Sequence, residues 1–204
     1  MCSMKVWALT GPIGAGKSTA SQFLASHGAA VVDGDSLGHQ LLDRTAIKNA
    51  IVSRFGAACV TDGLVDRKAL GALVFKDQEA LASLNLIMHK PLVDLAIEKI
   101  DTIAKAGNHK LAVFEAAVYF RLPSPPPVDL VLVVTASDEV RSQRLVDRGL
   151  SLKEAQSRII AQSDMQAKWQ TADCTLVNNG SLQSLERQLL SLMNQQNLGS
   201  ESAS

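Results

Sequence analysis

Apolar runs and amphipathic stretches alternate along the chain, and that alternation predicts an α/β fold. Val6-Trp7-Ala8-Leu9 is a short apolar run that ends in Thr10-Gly11. From Ser18 to His27, the residues Ala20, Phe23, Leu24 and His27 share one face at helical spacing, and Gly28 stops the helix. Ala30-Val31-Val32 reads as a second buried strand closed by Asp33-Gly34-Asp35, so the chain opens with a right-handed β-α-β unit. Between Ser36 and Gly107 the pattern is helical, with no convincing strand. Leu70, Leu73 and Val74, then Leu81, Leu84, Ile87 and Met88, form apolar stripes, and Pro91 should kink or restart a helix. Leu111–Phe114 is a third strand ending at Glu115. Leu130–Val134 is a fourth, whose unbroken apolar run suits a parallel strand buried on both faces. The stiff loop Pro123–Pro127 lies between them. Residues 138–168 are helical and charged, Cys174–Val177 is a fifth strand, and Leu182–Met193 is a closing helix. The tail, 199–204, is expected to be disordered.

Composition narrows the function classes. The 204 residues suit one domain, or a core with an inserted subdomain. Lys plus Arg and Asp plus Glu are both 20, which argues against a broad basic surface for nucleic acid or an anionic membrane. Aromatic residues are 4% of the chain, too few for a base-stacking platform. Cys2, Cys59 and Cys174 are odd in number and lack C-x-x-C spacing, which disfavours a disulfide framework or a four-cysteine zinc site and suits a reducing cytoplasm. No run approaches 18 consecutive apolar residues, so no membrane span is expected. A cytoplasmic monomer with a small-molecule substrate is the resulting expectation.

The strongest chemical signal is Gly11-Pro12-Ile13-Gly14-Ala15-Gly16-Lys17-Ser18, an intact G-x-x-x-x-G-K-S followed by Thr19. It follows a strand and opens a helix, the context a phosphate loop requires. Its glycines let backbone N–H groups approach phosphate oxygens, and the helix N-terminus adds the positive end of its dipole. Lys17 should reach the β- and γ-phosphates, and the Ser18 hydroxyl should ligate Mg²⁺.

Two further groups fit phosphoryl transfer. Asp33 and Asp35 end what reads as the strand beside the phosphate-loop strand, where strand alternation would put them on one side. One carboxylate can hold the metal shell while the other takes a proton from an attacking hydroxyl. Arg141, Arg144 and Arg148 share a helical face where a kinase lid would sit, and arginine forks neutralise and orient phosphates. Asp35-Ser36-Leu37-Gly38 also fits the D-x-x-G of GTPase switches, but the chain contains no Asn-Lys-x-Asp guanine-reading motif. A small-molecule kinase is the better reading.

Over roughly residues 4–190 the chain resembles the dephospho-coenzyme A kinase family. The matching pieces are Leu9 through Ser18, Val32–Asp35, Asp66-Arg67 with Leu70 and Val74-Phe75, Leu86–His89, Arg144 with Arg148, Gln162, and Ala172-Asp173 with Asn178-Asn179-Gly180. The resemblance implies a nucleoside-phosphate-kinase-like three-layer P-loop fold: a five-stranded parallel sheet, a helical substrate-binding insertion and a small lid. The core would comprise residues 1–35, 108–144 and 170–198, the insertion 36–107 and the lid 145–169. The implied reaction moves the γ-phosphoryl group of ATP, with Mg²⁺, to the 3′-hydroxyl of dephospho-coenzyme A. Lys17, Asp35 and Arg144 would be catalytic, with Asp35 as the base or hydroxyl-orienting group. Residues Gly11 to Thr19, with Arg148, Asn179 and Gly180, would bind the nucleotide. Asp35, Arg67, His89 and Glu115 would contact the acceptor, and Ser18 and Asp33 the metal.

Three departures from the family pattern stand out. Lys90 separates His89 from Pro91, and one added residue turns a helical side chain by about 100°. The third strand leads into Glu115-Ala116-Ala117-Val118-Tyr119-Phe120-Arg121 rather than a Pro-Leu-Leu-x-Glu run, so Arg121 replaces the downstream Glu. Arg141 stands where Gln is common. Two other readings remain open on the residues alone. One is a kinase of another small alcohol or nucleoside monophosphate; the other is a nucleotide-binding switch without an acceptor.

Overall fold

The computed structural model describes residues 4–74 and 77–198. Cys2, Phe75 and the 199–204 tail, all named above, lie outside them. The elements run β1 (Lys5–Thr10), α1 (Lys17–Ser26), β2 (Ala30–Asp33), α2 (Gly34–Leu42), α3 (Thr45–Phe55), β3 (Val60–Thr61), β4 (Leu64–Val65), α4 (Arg67–Val74) and α5 (Gln78–Ala106). They continue through β5 (Leu111–Glu115), β6 (Leu130–Thr135), α6 (Asp138–Asp147), α7 (Leu152–Ile160), α8 (Gln166–Trp169), β7 (Cys174–Val177) and α9 (Leu182–Gln195).

The five-stranded sheet has the order β2-β5-β1-β6-β7. β1 pairs in parallel with β5 (Trp7 opposite Val113) and with β6 (Trp7 opposite Leu130), and β6 pairs in parallel with β7. This is the α/β parallel architecture expected from the alternating pattern. Period-two alternation sends Trp7, Leu9, Val113, Leu132 and Val134 to one face, where they pack with Leu24 of α1 and Leu185 and Leu189 of α9. Each fully buried leucine contributes roughly 1.5–3 kcal/mol, enough to tie α1 and α9 firmly to the sheet. That anchoring matters for chemistry, because α1 begins inside the phosphate loop.

Five local expectations need correction. β2 lies at the sheet edge, with β5 between it and β1. A crossover connection can skip a position that a later strand fills, and strand order along the chain cannot reveal this. The edge position also leaves Val31 exposed, so β2 is not fully buried. Strand alternation does not relate Asp33 to Asp35, because the helix begins at Gly34; the Asp33 carboxylate accepts from the Asp35 N–H at 2.9 Å and caps α2. A two-residue hairpin, β3 with β4, interrupts the helical stretch at Asp62-Gly63, both with positive φ, as a tight hairpin turn requires. Finally, no new helix starts at Pro91: α5 is one 29-residue helix that runs through it. Buried Leu92, Val93, Leu95 and Ala96 follow the proline, and their packing outweighs the one backbone hydrogen bond it deletes. By length and composition alone α5 could cross a membrane, and 28% of its most apolar stretch is buried in the protein.

Chain contacts divide the described residues into two compact units. One takes those up to Val32, Lys99–Arg121, and those from Pro127 onward. The other takes Asp33–Glu98 and Leu122–Pro126, and has its own apolar core of Ile47, Ile51, Cys59, Val65, Leu70 and Val74. Cys59 and Cys174 are free thiols. Burial, with Asp173 beside it, pushes the Cys174 thiol up from its usual range.

Candidate active site

The first unit builds its site around the turn between β1 and α1. Gly11 has φ 139, and a Cβ there would stand 2.1 Å from the Val134 carbonyl oxygen, so only glycine lets the loop lie against β6. A Cβ on Gly16 would stand 2.4 Å from the Asn178 amide nitrogen. That space is used: Asn178 Nδ2, on a side chain buried from solvent, donates to the Ala15 carbonyl at 2.8 Å. Arg144 of α6 donates from Nη1 to the Gly14 and Ala15 carbonyls at 3.4 and 3.3 Å, and from Nη2 to the Asn178 carbonyl at 2.9 Å. Gln162 Oε1 accepts from the Ile13 N–H at 2.8 Å. The loop is therefore clamped by three side chains from the other end of the sequence.

With its carbonyls turned into these clamps, the loop leaves amides for an anion at the start of α1. Lys17 folds back so that Nζ donates to the Gly11 and Pro12 carbonyls at 3.0 and 3.2 Å. The Ser18 hydroxyl donates to Glu115 Oε1 at 3.3 Å, and Ser21 donates to the other carboxylate oxygen. β5 thus delivers an acidic group to the hydroxyl of the phosphate-loop serine. Hard oxygen donors of this kind suit Mg²⁺. No cluster of three or more His, Cys, Asp or Glu residues suited to a metal occurs among the described residues.

On the other side of the loop, Gly16, Thr19, Arg144, Arg148, Asn178 and Gly180 line a cavity of about 310 Å³. Asn179 sits beside it, with Oδ1 accepting from the Ser137 N–H at 2.7 Å. The nucleotide-side residues expected from the sequence therefore come together, spanning the loop, α6 and the turn after β7. The other candidates belong to the second unit. Asp33 and Asp35 are exposed at the start of α2, Arg67 is exposed at the start of α4, and His89 is half-buried in α5. Arg67 and His89 thus stand on different helices of that unit.

A family model described as dephospho-CoA kinase matches residues 5–184. The chain belongs to the dephospho-CoA kinase family. Family members catalyse the last step of coenzyme A synthesis. The chain is 36% identical to the dephospho-CoA kinase of Geobacter sulfurreducens over 91% of this chain and 95% of that one. It is 38% identical to that of Latilactobacillus sakei over 91% and 92%. Among solved structures it is similar to TT1252 from Thermus thermophilus, with TM-score 0.77, 32% identity, and 94% and 97% of the two chains covered. Dephospho-CoA kinase from Campylobacter jejuni shares the fold, with TM-score 0.67, 24% identity, and 93% and 96% covered.

Within this dephospho-CoA kinase fold, the departures acquire local roles. Arg121 pairs with Asp164 at 3.0 Å, and Lys168 donates to the Phe120 carbonyl at 3.0 Å, so the segment after β5 is held to the turn before α8. Lys90 pairs with Asp94 one helical turn along α5. Sequence reasoning missed Asn178, Gln162 and Ser21 as site residues. Their partners lie far away in sequence, except for Ser21, which is one helical turn after Ser18. A polar residue facing the same way as Ser18 was the available signal.

The Asn178 clamp can be tested directly. Asn178→Ala leaves the Ala15 carbonyl short of its buried donor, a loss of about 1–3 kcal/mol. A fall in Tm of about 5 °C is expected in calorimetry, with a weaker nucleotide affinity by titration. An unchanged Tm and affinity would show that Arg144 and Gln162 hold the loop without Asn178.

Proposed function

We propose that this protein moves the γ-phosphoryl group of ATP to the 3′-hydroxyl of dephospho-coenzyme A, giving coenzyme A and ADP. The amides of Gly11 to Thr19 cradle the triphosphate, and Lys17 neutralises its β- and γ-oxygens. Ser18 would hold Mg²⁺, with Asp33 and the Glu115 carboxylate in its shell; the ion would neutralise developing charge on the phosphate oxygens. Arg144 of α6 and Arg148 just past its end flank the nucleotide, and Asn179-Gly180 borders its base. Asp35 orients the acceptor hydroxyl and takes its proton. Residues 36–107 supply acceptor binding through Arg67 and His89, and 145–169 serve as the lid. The enzyme acts in the cytoplasm, a reading supported by its free thiols.

The observation that carries this reading is the assembled loop: Lys17 lies against the Gly11 and Pro12 carbonyls, and Ser18 meets an acidic group from the neighbouring strand. ADP release should be measured with dephospho-coenzyme A, nucleoside monophosphates and shikimate-like alcohols as acceptors, and the product's phosphate position determined. Turnover with dephospho-coenzyme A and a 3′-phosphate product is expected. Faster turnover of another acceptor would reassign the substrate, and ATP binding without any acceptor-dependent ADP would leave only a nucleotide binder.

A further inference from the structure

Arg141 is not used by the chemistry above, yet its setting is unusual. Its side chain, on α6, is 8% exposed. Nη2 meets the carboxylate of Asp138, while Nε and Nη1 are buried without a hydrogen-bond partner. A guanidinium keeps its charge at any working pH, and burying it with donors unmet is costly. The residue borders a cavity of about 340 Å³ together with Pro12 of the phosphate loop, Ser137 at the start of α6, and Gln162, Ser163 and Trp169. The Trp169 indole N–H is likewise buried and unpartnered. Ser137 caps α6, so the positive end of that helix dipole faces the same region. Two residues of the cavity wall, Arg141 and Trp169, therefore carry buried donors without partners. The cavity's one carboxylate, Asp138, has a side chain 71% exposed and can be shared with water. It has no lining residue in common with the nucleotide cavity at Arg148.

We infer that Arg141 is a binding residue for a phosphoryl oxyanion in this second cavity. The proposal rests on the reaction proposed above, in which two substrates carry such a group: the triphosphate of the nucleotide and the diphosphate of the acceptor. A turn of the Arg141 side chain toward the cavity brings Nε and Nη1, which are closed to solvent, onto the oxyanion, and Pro12 places the subsite on the shoulder of the phosphate loop. Gln162 ties that shoulder to the same cavity through the Ile13 N–H. A charged guanidinium binds such a group more strongly than a neutral donor would.

Calorimetric titration of wild type, Arg141→Met, Arg141→Lys and Asp138→Asn separates the sources. Each protein is titrated with a non-hydrolysable ATP analogue alone and with dephospho-coenzyme A alone. Arg141→Met should weaken one ligand by about tenfold or more and the other by less than about threefold, with Arg141→Lys between. The ligand affected names the source. Asp138→Asn should stay within about threefold of wild type for both, because it removes the ion pair but keeps the cation. Loss of neither ligand in Arg141→Met overturns the subsite. So does equal loss of both, or the same losses in Asp138→Asn, since each marks a structural ion pair. If Arg141→Met fails to fold, Trp169 emission in Trp7→Phe protein decides. A change with one ligand supports the subsite, and no change with either overturns it. Turnover by wild type tests the reaction separately, so the reaction can stand with the subsite refuted.

Discussion

Lys17→Ala is expected to lower kcat/KM for phosphoryl transfer by about 10³-fold or more, a loss of about 4 kcal/mol in transition-state stabilisation. Phosphoryl transfer asks the protein for positioning and charge neutralisation rather than covalent chemistry. Lys17 is the cation built into the loop itself, with Nζ against the Gly11 and Pro12 carbonyls. An arriving phosphate offers charged oxygens in place of neutral carbonyls, and charge-assisted bonds are roughly twice as strong. The loop should survive the substitution. Its shape is set by the close approach of Gly11 to Val134 and by the clamps from Arg144, Asn178 and Gln162, none of which involves the lysine ammonium. The check is a coupled ADP assay together with melting curves with and without ATP. Wild type at a hundredfold excess over Kd should gain about 2.7 kcal/mol, and the variant should lose most of that gain. Turnover within about tenfold of wild type would mean that the amides and arginines neutralise the phosphates without it. Lys17→Arg should not rescue, because the planar fork needs more room than an ammonium between those two carbonyls.

Much of this site was legible in the sequence because its parts are local. A strand, a glycine-rich turn and a helix in succession produce the phosphate loop, and the unbroken run Leu130–Val134 announces a strand buried on both faces. What was illegible depends on placement across the fold. The position of β5 between β1 and β2 follows from how crossovers pack, and no residue pattern records it. The α2 start at Gly34 turned a supposed strand pair into a helix cap, since one Asp side chain can serve either arrangement. The β3–β4 hairpin has two residues a side, too few for alternation to register, although Asp62-Gly63 was a turn signal. The clamps on the loop were hidden most deeply. Asn178 and Gln162 are ordinary polar residues until the sheet brings the end of β7 and the turn after α7 to the loop. Glu115 is legible as an acidic strand end, but its hydrogen bonds to Ser18 and Ser21 depend on β5 lying beside β1.

Asp35→Asn is expected to lower kcat by about 10²- to 10⁴-fold, while the KM for ATP stays within about threefold of wild type. The substitution keeps the shape of the side chain and removes its charge and its capacity to take a proton. It should not disturb the local fold. The contact that fixes this turn runs from the Asp35 backbone N–H to the Asp33 carboxylate, and it does not involve the Asp35 side chain. Asp33 supplies the contrast. Asn caps a helix about as well as Asp, so Asp33→Asn should fold normally, whereas Asp33→Ala should cost about 1 kcal/mol of stability. If Asp33 serves the metal shell, Asp33→Asn should raise the Mg²⁺ concentration needed for half-maximal rate, and Asp35→Asn should not. The two neighbouring carboxylates would then separate by readout: one changes the metal requirement, the other the rate at saturating metal and nucleotide. Single-turnover measurement at saturating ATP and acceptor isolates the chemical step from product release. A rate for Asp35→Asn near that of wild type under those conditions would remove Asp35 from proton transfer and leave positioning by the loop and its arginines as the source of catalysis. A loss confined to the KM for the acceptor would make it a binding group for the acceptor, because uniform binding lost from ground and transition states alike leaves kcat untouched.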